Sequence, residues 1–219
     1  MAKKTKKPWS KKKRIIVSLI GVFALIYIIV IAWHTFKPLP QGVSFAGELH
    51  KTNNIQLLTD LTFAQDQKGT NTIHENHIFD EVYRTIEEAE EFVVLDFFLM
   101  DGYYDEDEDF PNIAETLSST VAKKKKANPD MPIVFITDPL NRGYGSYESE
   151  WFKKMRDAGV EIVYTDLDEL RDSTPVYSGI YRIFFQWFDI GGKGWIANAM
   201  ASDAPKMTIA SYMSLLSVK

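Results

Sequence analysis

The sequence predicts a mixed α/β domain, helices packed on a sheet, carried behind one N-terminal membrane-spanning helix. Three observations predict it. Residues Ile15 to Trp33 form an uncharged apolar run; short runs rich in β-branched and aromatic residues then alternate with stretches of helical periodicity; and hydrophobic residues make up 45% of the chain, enough to offset the entropy of folding. With the first 33 residues set aside as anchor and flank, the remaining 186 suit one domain of ordinary size.

The run IIVSLIGVFALIYIIVIAW, residues 15–33, holds 19 residues without a charge, relieved only by Ser18, Gly21 and Tyr27. At ~1.5 Å per residue it reaches roughly 28 Å, close to the hydrocarbon thickness of a bilayer. A buried core helix of that length keeps a polar face, which this one lacks. A cleaved signal peptide has a shorter apolar region ending in small residues. Here the run closes on Ala32, Trp33, His34 and Thr35, and Trp33 suits the headgroup level. An uncleaved anchor is expected.

Residues 1–14 form a basic tail with Lys3, Lys4, Lys6, Lys7, Lys11, Lys12, Lys13 and Arg14, whereas only Lys37 closely follows the apolar run. By the positive-inside rule the N-terminus is expected in the cytoplasm, the helix in the cell membrane as a single pass, and the domain on the extracytoplasmic side. The tail also attracts anionic headgroups at about 1 kcal/mol per charge. Beyond it, 17 Lys and Arg face 30 Asp and Glu, a formal charge of −13. No basic surface is evident there to displace counterions, so nucleic acid is not expected as a partner. Cysteine is absent, which excludes disulfides, a thiolate nucleophile and a Cys-containing zinc site.

Residues 34–55 read as a spacer, stiffened by Pro38 and Pro40, and residues 56–219 as the domain. QLLTDLTF, Gln56 to Phe63, is expected as a first strand. Ile78, Val82, Ile86 and Ala89 recur as one helix face. FVVLDFFLM, Phe92 to Met100, is expected as a buried strand, in which Asp96 would need a partner. Pro111 falls where a first helical turn tolerates it; Ile113, Leu117 and Val121 share a face, and Lys123 to Lys126 suit the end of the helix dipole. PIVFIT, a helix over Glu148 to Ala158, a cap at Gly159 and the strand VEIVYT follow. The expected order is β-α-β-α-β.

Candidate sites are few. His74 and His77 in HENH flank Glu75, but an i, i+3 pair with no third ligand points to a solvated helix start rather than to zinc. DGYYDEDED, Asp101 to Asp109, concentrates six carboxylates without the spacing or glycine of a calcium loop. GYGSYES, Gly143 to Ser149, lies where backbone amides can cradle phosphate, yet matches neither a dinucleotide fingerprint nor a P-loop. It reads as a strand-to-helix connection capped by Ser146 or Ser149, or as the rim of a site. GGKGW, Gly191 to Trp195, could bring backbone close to a ligand, or reads as a loop with positive backbone angles between aromatic-rich segments. No metal, cofactor or catalytic residue is assigned from these motifs.

The segments IFDEVYRTIEEAEEFVVLDFFL and MPIVFITDPLNRGYGSYESEWFKKMRDAGVEIVYTDLDELRDS resemble the N-terminal half of membrane-anchored, cardiolipin-synthase-like proteins of the phospholipase D superfamily. The likeness covers most of residues 56–219. It rests on a helix with repeated acids, the strand with Asp96, a second helix, the strand ending Asp138 and Pro139, and the turn Asp157 to Val160. The resemblance implies a phospholipase D-like half-domain, here with a mixed sheet, and phosphatidyl transfer or hydrolysis as the ancestral chemistry. That chemistry needs two H-x-K-x4-D motifs, and none of His34, His50, His74 or His77 has Lys two residues on. No catalytic residue is carried over, and the chain by itself is expected to be inactive. It is expected to be truncated, ending before the first such motif, with the bilayer, a phospholipid or the missing half-domain as partners. The alternative is a non-catalytic, membrane-tethered binding or interaction domain.

Overall fold

A computed structural model describes residues 9–69, 72–102, 110–188, 193–198 and 204–217, with the backbone alone at 143, 144 and 215–217. In chain order the elements are α1 (Lys11–Phe36), β1 (Asp60–Ala64), β2 (Thr72–Asn76), α2 (His77–Glu88), β3 (Val93–Phe97), α3 (Ile113–Ala127), β4 (Ile133–Thr137), a 3-10 turn (Pro139–Gly145), α4 (Glu150–Asp157), β5 (Glu161–Tyr164), α5 (Pro175–Phe184) and α6 (Ile209–Ser217). They fall into two compact units, one built from Met1–Val43, Leu167–Asp189 and Met213–Lys219 and the other from Ser44–Asp166 and Ile190–Tyr212.

In the second unit, β3, β4 and β5 form a parallel sheet in that order, with Val94 opposite Val134 and Val134 opposite Glu161. The β-branched and aromatic runs place Val93, Leu95 and Phe97 on one face with Ile133, Phe135 and Ile162, because side chains alternate along a strand. The helices cover this face. Ile86 of α2, Leu117 and Val121 of α3, and Trp151, Phe152 and Met155 of α4 close a core in which Phe135 and Phe152 are fully buried, their ring centroids 5.6 Å apart. The opposite face carries Val94, Asp96 and Val163, all exposed, with Val134 and Ile136 half-buried. Asp96 therefore meets water, not the interior, and the burial expected from the apolar run around it is corrected.

Turn chemistry fixes the ends of these elements. Asn112 caps α3, its Oδ1 accepting from the Glu115 amide at 3.0 Å, and Pro111 stands just before the cap rather than in the first helical turn. Gly159 takes φ +94° after α4, a left-handed conformation that glycine supplies without strain. QLLTDLTF does contain a strand, but β1 pairs antiparallel with β2, and neither belongs to the parallel sheet. The β-α-β-α-β order is β3-α3-β4-α4-β5.

In the first unit, α1 is 26 residues long, starts with Ser10 Oγ accepting from the Lys13 amide, and is long and apolar enough to cross a membrane. α5 runs antiparallel along its second half. Phe184 meets Phe23 with ring centroids 5.9 Å apart, the Tyr27 hydroxyl donates to the Val176 carbonyl, and the Asp172 amide donates to the His34 carbonyl at 3.1 Å. Gly179 permits the approach: a Cβ there would stand 2.8 Å from Tyr27 Cε2 and 3.0 Å from Ile31 Cγ1. Arg182, 5% exposed, is held by Asp172 through Nη2 at 2.9 Å and by Asp168 through Nη1 at 2.9 Å. A buried charge is tolerated only when paired in this way. Where α1 ends, Lys37 Nζ donates to the Asp168 carbonyl at 2.5 Å and Arg171 Nε to the Lys37 carbonyl at 2.9 Å.

Candidate functional site

The carboxyl ends of parallel strands leave loops free to hold ligands. Here the loop after β4 is fastened by Asn141, 6% exposed. Its Nδ2 donates to the Phe98 carbonyl at 2.9 Å and to Thr137 Oγ1 at 2.7 Å, and its Oδ1 accepts from the Met100 amide at 2.9 Å. The ends of β3 and β4 are thereby tied together. Burial pushes the Asp138 carboxyl above its usual range, opposed in part by the Leu140 amide that donates to it at 2.7 Å.

Beyond this tie the 3-10 turn opens into a cleft of about 570 Å³ lined by Arg142, Ser146, Tyr147, Glu148, Arg156, Tyr164 and Lys193. The Arg142 guanidinium lies over the Tyr164 ring, 4.3 Å from its centroid, and its buried Nε has no hydrogen-bond partner among the described residues. Glu148 pairs with Arg156. That leaves Arg142 and Lys193 as positive charges in the cleft with no ion-pair partner among the described residues, in a domain where Asp and Glu outnumber Lys and Arg. Gly145 takes φ +98°, which lets the chain turn at the mouth.

The cleft has a rigid wall. Ser146 Oγ accepts from the Thr208 amide at 3.1 Å, so it does not cap α4; Ser149 occupies the cap position, buried, with no cap hydrogen bond from its side chain. Tyr147 OH accepts from Asn198 Nδ2 at 3.4 Å, and Asn198 also donates to the Pro205 carbonyl at 3.1 Å. Burial raises the Tyr147 phenol above its ordinary value, the Asn198 bond opposes this and Asp101 adds to it, so the hydroxyl stays neutral in ordinary buffers.

The sequence motifs separate at this point. GYGSYES supplies the cleft's wall and GGKGW supplies Lys193, although Gly191 and Gly192 lie outside the described residues. Of DGYYDEDED, residues 103–109 lie outside them too. His74 sits on β2 with Nδ1 2.9 Å from Thr62 Oγ1, and His77 Nε2 is 3.6 Å from Glu75 at the start of α2. Among the described residues no three His, Cys, Asp or Glu side chains gather as metal ligands. Arg142 was missed as a candidate because it lies 51 positions from Lys193 and no local spacing links them. Comparison with protein-family models, with curated proteins and with solved structures finds no match to this chain.

Proposed function

We propose that this chain is a membrane-anchored, phospholipase D-like protein that binds phosphodiester headgroups on the extracytoplasmic side of the cell membrane and does not itself turn them over. The observation that carries this reading is the cleft with Arg142 and Lys193 at the carboxyl end of the parallel sheet. A phosphate offers charge and acceptor oxygens to a guanidinium and an ammonium, and Arg142 keeps an Nε donor without a partner among the described residues. The sheet face bearing Val94, Asp96 and Val163, all exposed, supports a half-domain that pairs with a second half.

Full-length protein in phosphocholine nanodiscs, titrated calorimetrically with the soluble phosphodiester glycerophosphoglycerol, should bind it. Arg142→Ala with Lys193→Ala should weaken binding at least tenfold, a loss of about 1.4 kcal/mol. Phosphorus NMR should show the titrant intact. Binding that ignores both substitutions would refute the reading.

The same partly exposed face favours a second reading, a non-catalytic interaction domain whose ligand is a protein. It predicts no heat with the phosphodiester but a cooperative melt and one defined partner.

A further inference from the structure

α5 has the polarity of a soluble helix turned inside out. Its one charged residue, Arg182, faces inward and is 5% exposed, whereas Val176, Tyr177, Phe184 and then Trp187 point outward at 61%, 66%, 48% and 76% exposure. A helix at a protein surface puts charge outward and apolar groups toward the core. Here the inward charge is neutralised by Asp172 and Asp168, and the outward stripe contains no charge at all.

The position of α5 along α1 supplies the second observation. Asp172 meets His34, Gly179 lies against Ile31 and Tyr27, and Phe184 meets Phe23. Phe23 lies ten residues inside Trp33 in the apolar run, or ~15 Å at the rise of a helix, which is half a bilayer's hydrocarbon thickness. The ten residues of α5 have about that same length. An element fixed alongside that part of a spanning helix shares its surroundings.

We infer that α5 is a half-membrane helix: Pro175–Phe184 enters the outer leaflet beside α1, with its apolar stripe on lipid acyl chains and its charge confined to the Arg182–Asp172–Asp168 cluster. The inference rests on α1 spanning the bilayer. Helices in lipid satisfy their own backbone groups, approach one another at small residues and keep charges paired and turned away from lipid. α5 does each of these, through its own turns, Gly179 and the two aspartates.

The chain has no cysteine, so single-cysteine nitroxide labels can be placed on the full protein in phosphatidylcholine–phosphatidylglycerol vesicles. Labels at Tyr177→Cys and Trp187→Cys should collide with oxygen severalfold more than with a water-soluble nickel chelate, and Trp187→Cys should lie deeper than Tyr177→Cys. Leu25→Cys on α1 reports the anchor and Lys68→Cys reports water. If the α5 labels resemble Lys68→Cys while Leu25→Cys is lipid-like, the half-membrane helix is refuted and the anchor stands. If the α5 labels are shielded from both reagents, protein covers the stripe and the inference fails. A water-like Leu25→Cys would remove the anchor itself.

Discussion

Replacing Asn141 by alanine tests whether the end of the sheet is held from within. The substitution removes the acceptor for the Met100 amide and the donors to the Phe98 carbonyl and Thr137 Oγ1, at a site where Met100 is 5% and Asn141 6% exposed. At about 1 kcal/mol for each of two lost bonds, plus about 1 kcal/mol or more for a buried amide left unpaired, the cost is roughly 3 kcal/mol. For a unit of this size that lowers the melting temperature by roughly 6–12 °C. Trp151 packs in the same core and is 4% exposed, so tryptophan fluorescence of the full protein in nanodiscs follows the melt. Asn141→Asp should be at least as damaging at neutral pH, because it turns a carboxylate toward the Phe98 carbonyl. It should recover part of the loss in acid, where the protonated carboxyl can donate. A melt within about 2 °C of wild type for Asn141→Ala would mean that water replaces the side chain and the tie is not structural.

Gly179→Val should loosen α5 from α1, since its Cβ would meet Tyr27 and Ile31 within 3.0 Å; cleavage of the Leu167–Phe188 segment by added protease should quicken severalfold, with Gly179→Ala intermediate. Asp138→Asn should flatten the acid side of the stability profile. Burial raises the folded carboxyl above its unfolded value, so its destabilising effect is present above the folded pKa and fades as pH falls through it. The asparagine variant should therefore be the more stable at neutral pH by chemical denaturation, and should lose that advantage in acid.

Local patterns were enough to find β3, β4 and β5, because Phe97, Phe135 and Ile162 sit in short apolar runs bounded by turn residues, and enough to find α2 and α3 from their three-to-four spacing. They also marked α1. What they could not show was which faces are covered. Asp96 lies within an apolar run, and the placement of α2, α3 and α4 on the opposite face explains its exposure. TIHEN carries too little apolar alternation to stand out as a strand, yet β1 recruits it by backbone pairing. Arg142 and Lys193 come together through the fold, so no window of sequence contains their relation. No local pattern marks the packing of α5, because its partner lies about 150 residues earlier: Tyr27 and Val176 are 149 positions apart.

The double fastening at the end of α1, Lys37 to Asp168 and Arg171 back to Lys37, has a mechanical consequence. A solitary transmembrane rod can spin about its own axis at almost no cost, like a swivel. With α5 strapped along one side, turning α1 carries a second body with it, and tilting it shifts both together. The root thus acts as a keel, giving the rod two unlike sides and so a heading that no single cylinder could keep.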